Sequence, residues 1–364
     1  MSKKVFFVVH NFSSESGGGV NRVVAETANE LSKKSGYQIN IVSLSKLNGT
    51  CYPLNDHVNL HSLEMKKYST TQYKGIFKIF WLFFAFINMY RFYLKNRTPA
   101  TWNVTSPPLI ILFSSFKKYK NKFLYCEHTS PLGKKNNFIK NKIRSTFLNT
   151  GDLTISLNSK DDVYYKSIGV NSQLIYNGST FPYEYTKEVE KSIIFVGRFV
   201  YEKDPLEALQ IFYESALWEN GYKLKFFGYG SYLNNLILKA TELNILENIE
   251  IITDEKNPDK IYAHACALVM TSLYEGLPMV LVEAMSRGIP CISYNCPQGP
   301  SEIIKNGING YLIPVSDRKE FIQKLGLVVN NSIQPELIIE SVQEFNISNV
   351  IQQWEYLIES KTNI

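Results

Sequence analysis

Two glutamates eight positions apart are the first residues whose types and spacing suggest chemistry. Glu275 and Glu283 belong to the stretch EGLPMVLVEA, which reads as a loop running into a helix. At about 1.5 Å rise and about 3.6 residues per turn, the carboxylates do not stack on one helical face, which predicts two separate contacts to one ligand. The N–H groups of Gly276, Leu277 and Met279 favour an anion between them, such as a phosphate with polyols on both sides. The alternative is that Glu275 caps the helix and Glu283 solvates its face.

Two cations, Arg198 and Lys203, form a second candidate pair. They lie five positions apart, after a predicted strand and just ahead of a predicted helix, Pro205 to Ser215. Arginine offers a planar fork for phosphate oxygens and lysine a mobile point charge, so the pair suits a pyrophosphate leaving group. The alternative is two surface cations at a helix start, where they would oppose the helix dipole unless an anion is bound.

Glycines recur at the ends of predicted strands, where they permit close approach of the backbone to a ligand. We take six of them as candidate ligand contacts: Gly17, Gly18, Gly19, Gly197, Gly228 and Gly230. The turn at Gly228 and Gly230 could direct backbone amides at the same diphosphate. A flexible turn is the alternative for the first three, and the third glycine of a dinucleotide fingerprint is absent.

The elements that must position these residues follow the strand–helix–strand order of a parallel sheet. A buried strand is predicted at Ala267 to Met270, a helix from Pro278 to the residue before Gly288, and a further strand at Pro290 to Tyr294. Ligands of such βαβ units bind beyond the carboxyl ends of the strands. The candidate residues therefore fall where a binding site is expected.

Four segments together resemble family 4 of the retaining glycosyltransferases, which have the two-domain GT-B fold. EGLPMVLVEA resembles the family's E-x7-E motif, FVGRFVYEKDP its G-R-x-x-x-x-K segment, FFGYGSY its second glycine loop and GGGV its N-terminal glycine loop. CPQGPSEII is similar to members that build bacterial surface polysaccharides. The four motifs occur in the right order and cover most of the chain.

The resemblance implies a role for each candidate residue. Glu275 would lie by the donor sugar, Glu283 would bind the ribose of the nucleotide, and Arg198 and Lys203 would stabilise the departing diphosphate. A lone histidine near a strand end is more often structural, but His128 lies in a tripeptide that resembles the family's central histidine, beside the reacting sugar carbon. The remaining candidates would contact the donor: Gly17, Gly18, Gly19, Gly197, Gly228, Gly230, Gly276 and Leu277.

At 364 residues the chain is long enough for two domains. The resemblance implies an α/β protein with two Rossmann-like domains facing each other across a cleft. We expect an acceptor-side domain at residues 1–177, a linker at 178–192, a nucleotide-sugar-binding domain at 193–345, and a C-terminal helix at 346–364 that packs back on the first domain.

The two halves of the chain carry opposite charge. Residues 1–180 hold 24 lysines and arginines against 9 acids, a net +15, whereas the remainder holds 15 against 24, a net −9. A basic half suits an anionic membrane surface or acidic substrates. No helix-turn-helix, zinc-finger or RNA-recognition signature accompanies it, so we expect no nucleic-acid partner.

Composition also bears on cofactors and location. Five cysteines without a C-x-x-C pair argue against a disulfide framework or zinc ribbon, and no D-x-D triplet indicates a metal clamp, so we expect no cofactor and no metal. The apolar run Ile79 to Ile87 is too short to cross a bilayer core of about 30 Å. It predicts a buried helix or, alternatively, a helix seated in the membrane interface. We expect a cytoplasmic protein, peripheral on the inner face of the plasma membrane in the second case.

The sequence thus predicts a retaining glycosyltransferase that moves a sugar from a nucleotide-diphosphate donor to a polysaccharide or lipid-linked oligosaccharide. One alternative is a nucleotide-sugar epimerase or a phosphorylase on the same fold, although a pyridoxal-bearing lysine cannot be identified. The other is a catalytically silent sugar-nucleotide-binding partner, which would have no chemical need for Arg198, Lys203, Glu275 and Glu283 together.

Overall fold

The computed structural model describes residues 2–16, 18–66, 77–128, 131, 138–185, 188–255, 257–297, 299–330 and 333–360, with the backbone alone at 77–79 and 138. The chain divides into two compact units. The first comprises Met1–Gly178 together with Ile347–Ile364, and the second comprises Ser179–Asn346. The described residues of the expected linker, 179–185 and 188–192, count with the second unit.

The first unit is built on a seven-stranded, wholly parallel sheet in the order β3-β2-β1-β4-β5-β6-β7. Its strands are β1 (Lys3–Val9), β2 (Tyr37–Ser45), β3 (Val58–Met65), β4 (Ala100–Val104), β5 (Lys122–Cys126), β6 (Leu153–Ser156) and β7 (Ser172–Leu174). Its helices up to β7 are α1 (Gly19–Ser32), α2 (Phe77–Lys95), α3 (Pro107–Phe113), α4 (Phe138–Leu148) and α5 (Ser159–Ser167). The strand order reverses between β1 and β4, which is the position where doubly wound sheets bind ligands.

Each face of this sheet is covered by an apolar layer. On one face Phe7 and Leu124 pack with α1, and on the other Phe6 and Trp102 stack, with ring centres 4.1 Å apart, beneath α2 and α3. Strands buried on both faces must be apolar at nearly every position. This accounts for the continuous run at Val5 to Val9.

The second unit contains a six-stranded parallel sheet in the order β10-β9-β8-β11-β12-β13. Its strands are β8 (Ser192–Val196), β9 (Lys223–Phe227), β10 (Ile249–Ile252), β11 (Ala267–Met270), β12 (Cys291–Tyr294) and β13 (Gly310–Ile313). Its helices are α6 (Pro205–Glu214), α7 (Leu233–Glu242), α8 (Pro258–Ile261), α9 (Met279–Met285), α10 (Pro300–Ile303), α11 (Arg318–Val329) and α12 (Pro335–Glu340). Two parallel sheets confirm the predicted α/β architecture of two Rossmann-like units.

The last helix, α13 (Ile347–Glu359), belongs to the first unit rather than to the unit that precedes it. Trp354 packs on Phe7, with ring centres 5.9 Å apart, and Lys122 Nζ donates to the carbonyl oxygen of Leu357 at 2.6 Å. A short ladder of exposed ion pairs, including Lys3 with Glu359 at 3.1 Å, lines its edge. The apolar face of α13 therefore completes the core of the first unit.

Helix α2 has one buried and one exposed apolar face. Trp81, Ala85, Met89 and Tyr93 are fully buried at intervals of four residues, as the core-packed alternative predicts. Phe80, Phe83 and Phe84 are more than half exposed on another face. No helix in the described parts of the chain has both the length and the apolar character that crossing a bilayer requires.

Candidate active site

Two loops of the second unit meet at the carboxyl ends of β8 and β11. These strands pair in parallel, so the segments that follow them emerge at the same edge of the sheet. A 3₁₀ turn, Tyr201–Lys203, follows β8, and the loop that contains Glu275 follows β11. The backbone N–H of Leu273 donates to the carbonyl oxygen of Glu202 at 2.9 Å and thereby fastens the loops together.

Lys203 and Glu275, which are 72 positions apart, form an ion pair in which Lys203 Nζ donates to Glu275 Oε1. Their side chains are 24% and 10% exposed, so one edge of the pair faces solvent. Thr271 Oγ1 donates to the carbonyl oxygen of Asp204 at 2.7 Å and holds the base of the lysine turn. The sequence predicts both residues as site residues, and the structure brings them together.

Arg198 lies beyond the end of β8 and is exposed. Across the described ranges no carboxylate pairs with its guanidinium group. A cation that forms no ion pair with a carboxylate of the protein remains available to an anionic ligand. The structure therefore places Arg198 in the same post-β8 segment as Lys203, without a contact to the lysine–glutamate pair.

The glycines after β8 and β9 are required by the packing of two loops on each other. A Cβ atom on Gly228 would lie 1.9 Å from the carbonyl oxygen of Gly197, and one on Gly230 would lie 2.3 Å from that of Phe199. The N–H groups of Gly197 and Gly228 donate to the carbonyl oxygens of Phe227 and Ile252, at 2.9 and 3.0 Å. These two N–H groups already have acceptors in the protein, so they are not available to contact a diphosphate in this structure.

The EGLP loop is supported from below by the CPQGP segment. A Cβ atom on Gly299 would lie 2.4 Å from the carbonyl oxygen of Gly276, and Gly299 has φ of +89°, so only glycine suits both demands. Gly276 and Leu277 are half-buried, and α9 begins at Met279. Sequence reasoning associated CPQGP with a class of relatives but missed that Gly299 shapes the loop beside Glu275.

Glu283 lies on α9, is 4% exposed, and accepts a hydrogen bond from Tyr262 Oη at 2.5 Å. Tyr262 directly follows α8 and is itself buried. The Arg287 guanidinium lies over the rings of Phe181 and Tyr262, at 4.7 and 5.4 Å from their centres. Sequence reasoning missed Tyr262, Phe181 and Arg287, because a contact across 21 or more positions leaves no periodic signal.

A half-buried polar network joins α6, β12 and α11. Glu207 accepts from Tyr294 Oη at 2.7 Å and from Arg318 Nη2 at 2.6 Å. Burial alone would raise the pKa of Glu207, but the hydrogen bonds from Arg318 and Tyr294 hold it below its usual value. The carboxylate thus stays ionised and fixes α6, whose N-cap residue Asp204 follows Lys203.

In the first unit, His128 lies two residues beyond β5 and borders a cavity of about 20 Å³, large enough for about one water. Burial lowers the pKa of His128 to about 4, so the imidazole is neutral near pH 7. The side chain of Asn103 borders the same cavity, and its Oδ1 has no hydrogen-bond partner in the part of the chain that the structure describes.

The preceding residue, Glu127, is buried and paired. Its Oε2 accepts from Tyr165 Oη at 2.7 Å and lies 3.3 Å from Arg144 Nε. This arrangement neutralises a carboxylate at the end of β5 and anchors the start of the segment that carries His128.

The other site residues of this unit lie at α1: Gly18 is its N-cap, and a Cβ atom on Gly18 or Gly19 would meet no atom within 4 Å. Gly17 lies outside the described residues.

Within the described ranges, no three His, Cys, Asp or Glu side chains come together in a way that could hold a metal ion. In the second unit, Arg198 and Lys203 lie in one segment, and Glu275 pairs with the lysine. Lysine and arginine can neutralise a leaving diphosphate, and carboxylates can accept hydrogen bonds from sugar and ribose hydroxyls.

Comparisons with known proteins show what the chain is similar to. The family model described as Glycosyl transferases group 1 matches residues 182–345, which lie within the second unit. The chain is 25% identical over 344 residues to the amylovoran biosynthesis glycosyltransferase AmsD of Erwinia amylovora, covering 90% of each protein. It is 26% identical over 374 residues to an α-1,4-N-acetyl-D-galactosaminyltransferase of Campylobacter jejuni, named for its substrate GalNAc-α-(1→4)-GalNAc-α-(1→3)-diNAcBac-PP-undecaprenol, covering 99% of each.

Solved structures show the same fold. The lipopolysaccharide outer core galactosyltransferase WaaB in its apo form superposes with a TM-score of 0.71 at 19% identity, covering 98% of this chain and 99% of WaaB. A variant of TarM from S. aureus, in complex with fondaparinux, α-GlcNAc-glycerol and UDP, superposes with a TM-score of 0.78 at 13% identity, covering 98% and 100%. The second unit matches the glycosyl transferases group 1, and the chain is a glycosyltransferase with the GT-B fold.

Proposed function

We propose that the protein transfers a sugar, with retention of anomeric configuration, from a uridine-diphosphate sugar to a growing bacterial surface glycan or lipid-linked oligosaccharide. The observation that carries this proposal is the pairing of Lys203 with Glu275 at the carboxyl edge of the second sheet, with exposed Arg198 in the same segment. The TarM variant similar to this chain was solved with UDP, which supports the choice of base.

Each residue has a distinct task in this proposal. Lys203 and Arg198 neutralise the charge that develops on the diphosphate as the bond to the sugar breaks. Glu275 orients Lys203 before the donor binds and accepts hydrogen bonds from sugar hydroxyls afterwards. Glu283 accepts from the ribose hydroxyls. His128, kept neutral by burial, contributes a hydrogen bond near the reacting carbon rather than a positive charge.

Cations of the protein replace a divalent metal in this scheme. The sequence holds no D-x-D triplet, and the two basic side chains after β8 can supply the positive charge that a metal would otherwise bring. Activity should therefore persist in the presence of EDTA, and its abolition by the chelator would contradict this part of the proposal.

A lipid-linked acceptor is supported by a groove between α3 and α4 of the first unit. The groove has a volume of about 350 Å³, and its walls are mostly apolar: Pro107, Ile110, Ile111, Ile143, Phe147 and Leu148. Lys140, Arg144 and Glu127 also line it, and Glu127 Oε2 lies 3.3 Å from Arg144 Nε, so the three side chains together carry one net positive charge. An apolar groove with a net positive charge suits an apolar chain that carries an anionic headgroup. The relative from Campylobacter jejuni is named for such an undecaprenol-linked substrate.

Peripheral attachment to an anionic membrane would bring such an acceptor within reach. Helix α2 exposes Phe83 and Phe84 near its start and Arg91 and Lys95 near its end. Aromatic rings at the acyl boundary and cations at the headgroups are the contacts of interfacial helices. The excess positive charge of residues 1–180 acts in the same direction.

The nucleotide-sugar epimerase and phosphorylase alternatives are not favoured, since the similar proteins of full length are named as glycosyltransferases. A direct test incubates the protein with radiolabelled uridine-diphosphate sugars and lipid-extracted acceptors, and then determines the anomeric configuration of the product by NMR. We expect label in the lipid fraction, dependent on acceptor, with the donor's configuration retained. Label in the lipid fraction that does not depend on added acceptor, or an inverted product, would contradict the proposal.

A further inference from the structure

We propose that Tyr262 is a positioning residue for Glu283, and that its hydroxyl sets the orientation in which the carboxylate meets the ribose of the donor nucleotide. The inference rests on the proposed function, because it takes Glu283 as the ribose contact. Tyr262 is not part of any motif considered in the sequence, and the structure alone brings it to the site.

The contact between the two side chains is short and shielded from water. Tyr262 Oη donates to Glu283 Oε2 at 2.5 Å, and the two residues are 1% and 4% exposed. A hydroxyl that donates to an ionised carboxylate forms one of the stronger hydrogen bonds in proteins, and its strength grows where water is excluded. The bond therefore restricts rotation of the Glu283 carboxylate.

Tyr262 is in turn held by a cationic clamp. The Arg287 guanidinium, 5% exposed, lies over the rings of both Phe181 and Tyr262, whose centres are 6.2 Å apart. Arg287 Nη2 also contacts Asp259 Oδ1 at 2.6 Å, on the helix that ends just before Tyr262. Arg287 follows Glu283 by four positions. The clamp thus joins α8 to the end of α9, and both partners of the tyrosine–glutamate bond are fixed by it.

This arrangement orients the carboxylate before a ligand binds. An ionised carboxylate can accept several hydrogen bonds, of which the bond from Tyr262 is one. A carboxylate that is oriented in advance loses less freedom when it accepts from a ribose hydroxyl, so the tyrosine should strengthen nucleotide binding through the glutamate. A tyrosine that served only the packing of the fold would not affect nucleotide binding through the glutamate.

The test is a double-mutant cycle between the protein and the ligand. Affinities of UDP, 2′-deoxy-UDP and 3′-deoxy-UDP are measured by titration calorimetry for the full-length wild type and for Tyr262→Phe. Tyr294→Phe is the matched control, because it also deletes a hydroxyl bonded to a shielded glutamate, the half-buried Glu207, in a separate network of the same unit. Thermal unfolding of each variant confirms that it is folded.

We expect removal of one ribose hydroxyl to raise the Kd of the wild type about tenfold, since the lost hydrogen bond goes to a charged group. In Tyr262→Phe the Kd for UDP should rise about fivefold or more, and the penalty for the deoxynucleotide should shrink to about twofold. In Tyr294→Phe the penalty for the deoxynucleotide should match that of the wild type, whatever the Kd for UDP itself.

Two results would overturn the inference in different ways. An unchanged deoxynucleotide penalty in Tyr262→Phe would show that the tyrosine does not act through the ribose contact, while leaving that contact intact. Equal affinity of the wild type for UDP and both deoxynucleotides would remove the ribose contact itself, and with it the role given to Glu283 in the proposed function.

Discussion

At the scale of single residues, the proposed stabilisation of the leaving diphosphate depends most on Lys203. The lysine is held by Glu275 and is partly open to solvent, so a diphosphate can compete for its ammonium group. Replacing Lys203 by Ala should lower kcat at least about tenfold, a loss of about 1.4 kcal/mol of transition-state stabilisation. Steady-state transfer kinetics would measure the effect. Lys191→Ala is the control, because the side chain of that exposed lysine of the same unit contacts the carbonyl oxygen of Asn220 and the ring of Tyr222. Equal rates for the two variants would remove the assignment.

A second prediction at this scale concerns His128 and pH. Burial lowers its pKa to about 4, whereas the unfolded chain titrates near 6.5, so between these values the unfolded state binds the proton and the folded state does not. The histidine's contribution to stability is therefore present above about pH 6.5 and is lost as pH falls toward 4. Between pH 7 and 5 the loss should be about 2 kcal/mol.

Urea unfolding of the wild type and of His128→Gln at both pH values would test this prediction. Histidine-specific loss appears as the difference between the two proteins, since other groups, including His61 with its own lowered pKa, are common to both. Equal sensitivity of the two proteins to pH would show that His128 is accessible to the proton in the folded state.

The sequence supplied the charged residues of the site but not their support. Lys203, Glu275 and Glu283 are candidates from the sequence because of their types and spacing, and the structure pairs Lys203 with Glu275. Tyr262 and Gly299 could not be predicted, since their importance lies in contacts with Glu283 and Gly276 that only the folded chain creates. Side-chain hydrogen bonds between distant segments leave no pattern in sequence.

At the scale of elements, the loops after β8 and β9 form one packed unit, and Gly228 is central to it. Gly228→Ala should destabilise the protein by about 2 kcal/mol or more, because its Cβ would lie 1.9 Å from a backbone oxygen that cannot move aside. Gly221→Ala is a matched control: Gly221 also has positive φ, but open space surrounds its Cβ position. Thermal unfolding of the two variants should show a larger loss for Gly228→Ala, and equal losses would contradict the packing role.

Elements were predictable to the extent that their apolar pattern was continuous. The run Val5 to Val9 predicts a strand that the structure extends to Lys3, since ladder pairing with β2 continues past the apolar residues. Strand β4 escaped sequence reasoning, because buried Thr101 and Asn103 interrupt its apolar residues. The sequence predicts a first domain that ends at residue 177, followed by a linker at 178–192. In the structure, the segment 179–185 belongs to the second unit and contacts it through Phe181.

At the scale of the whole molecule, the opposite charges of the two halves lead to a prediction about membranes. The basic residues of 1–180 should attract anionic headgroups, and this attraction is screened by salt. Binding to vesicles that contain phosphatidylglycerol should therefore fall several-fold between about 0.05 and 0.5 M salt, as measured by co-sedimentation. Neutral phosphatidylcholine vesicles serve as the control. Equal partition at low and high salt would contradict electrostatic attachment.

The phenylalanines of α2 allow the apolar part of that attachment to be separated. Phe83→Ser combined with Phe84→Ser removes two exposed rings without touching the buried face of Trp81, Ala85, Met89 and Tyr93. Any binding that survives at high salt in the wild type should be lost in this double variant.

The central claim is that the second unit holds a nucleotide-sugar site organised by Lys203 and Glu275. It is tested most directly by a screen of the purified protein and of Lys203→Ala against a panel of nucleotide sugars, following thermal unfolding and donor hydrolysis. We expect one uridine-diphosphate sugar to stabilise the wild type and to be hydrolysed slowly, and both effects to be reduced or lost in the variant. Stabilisation of both proteins to the same extent, or of neither by any member of the panel, would contradict the claim.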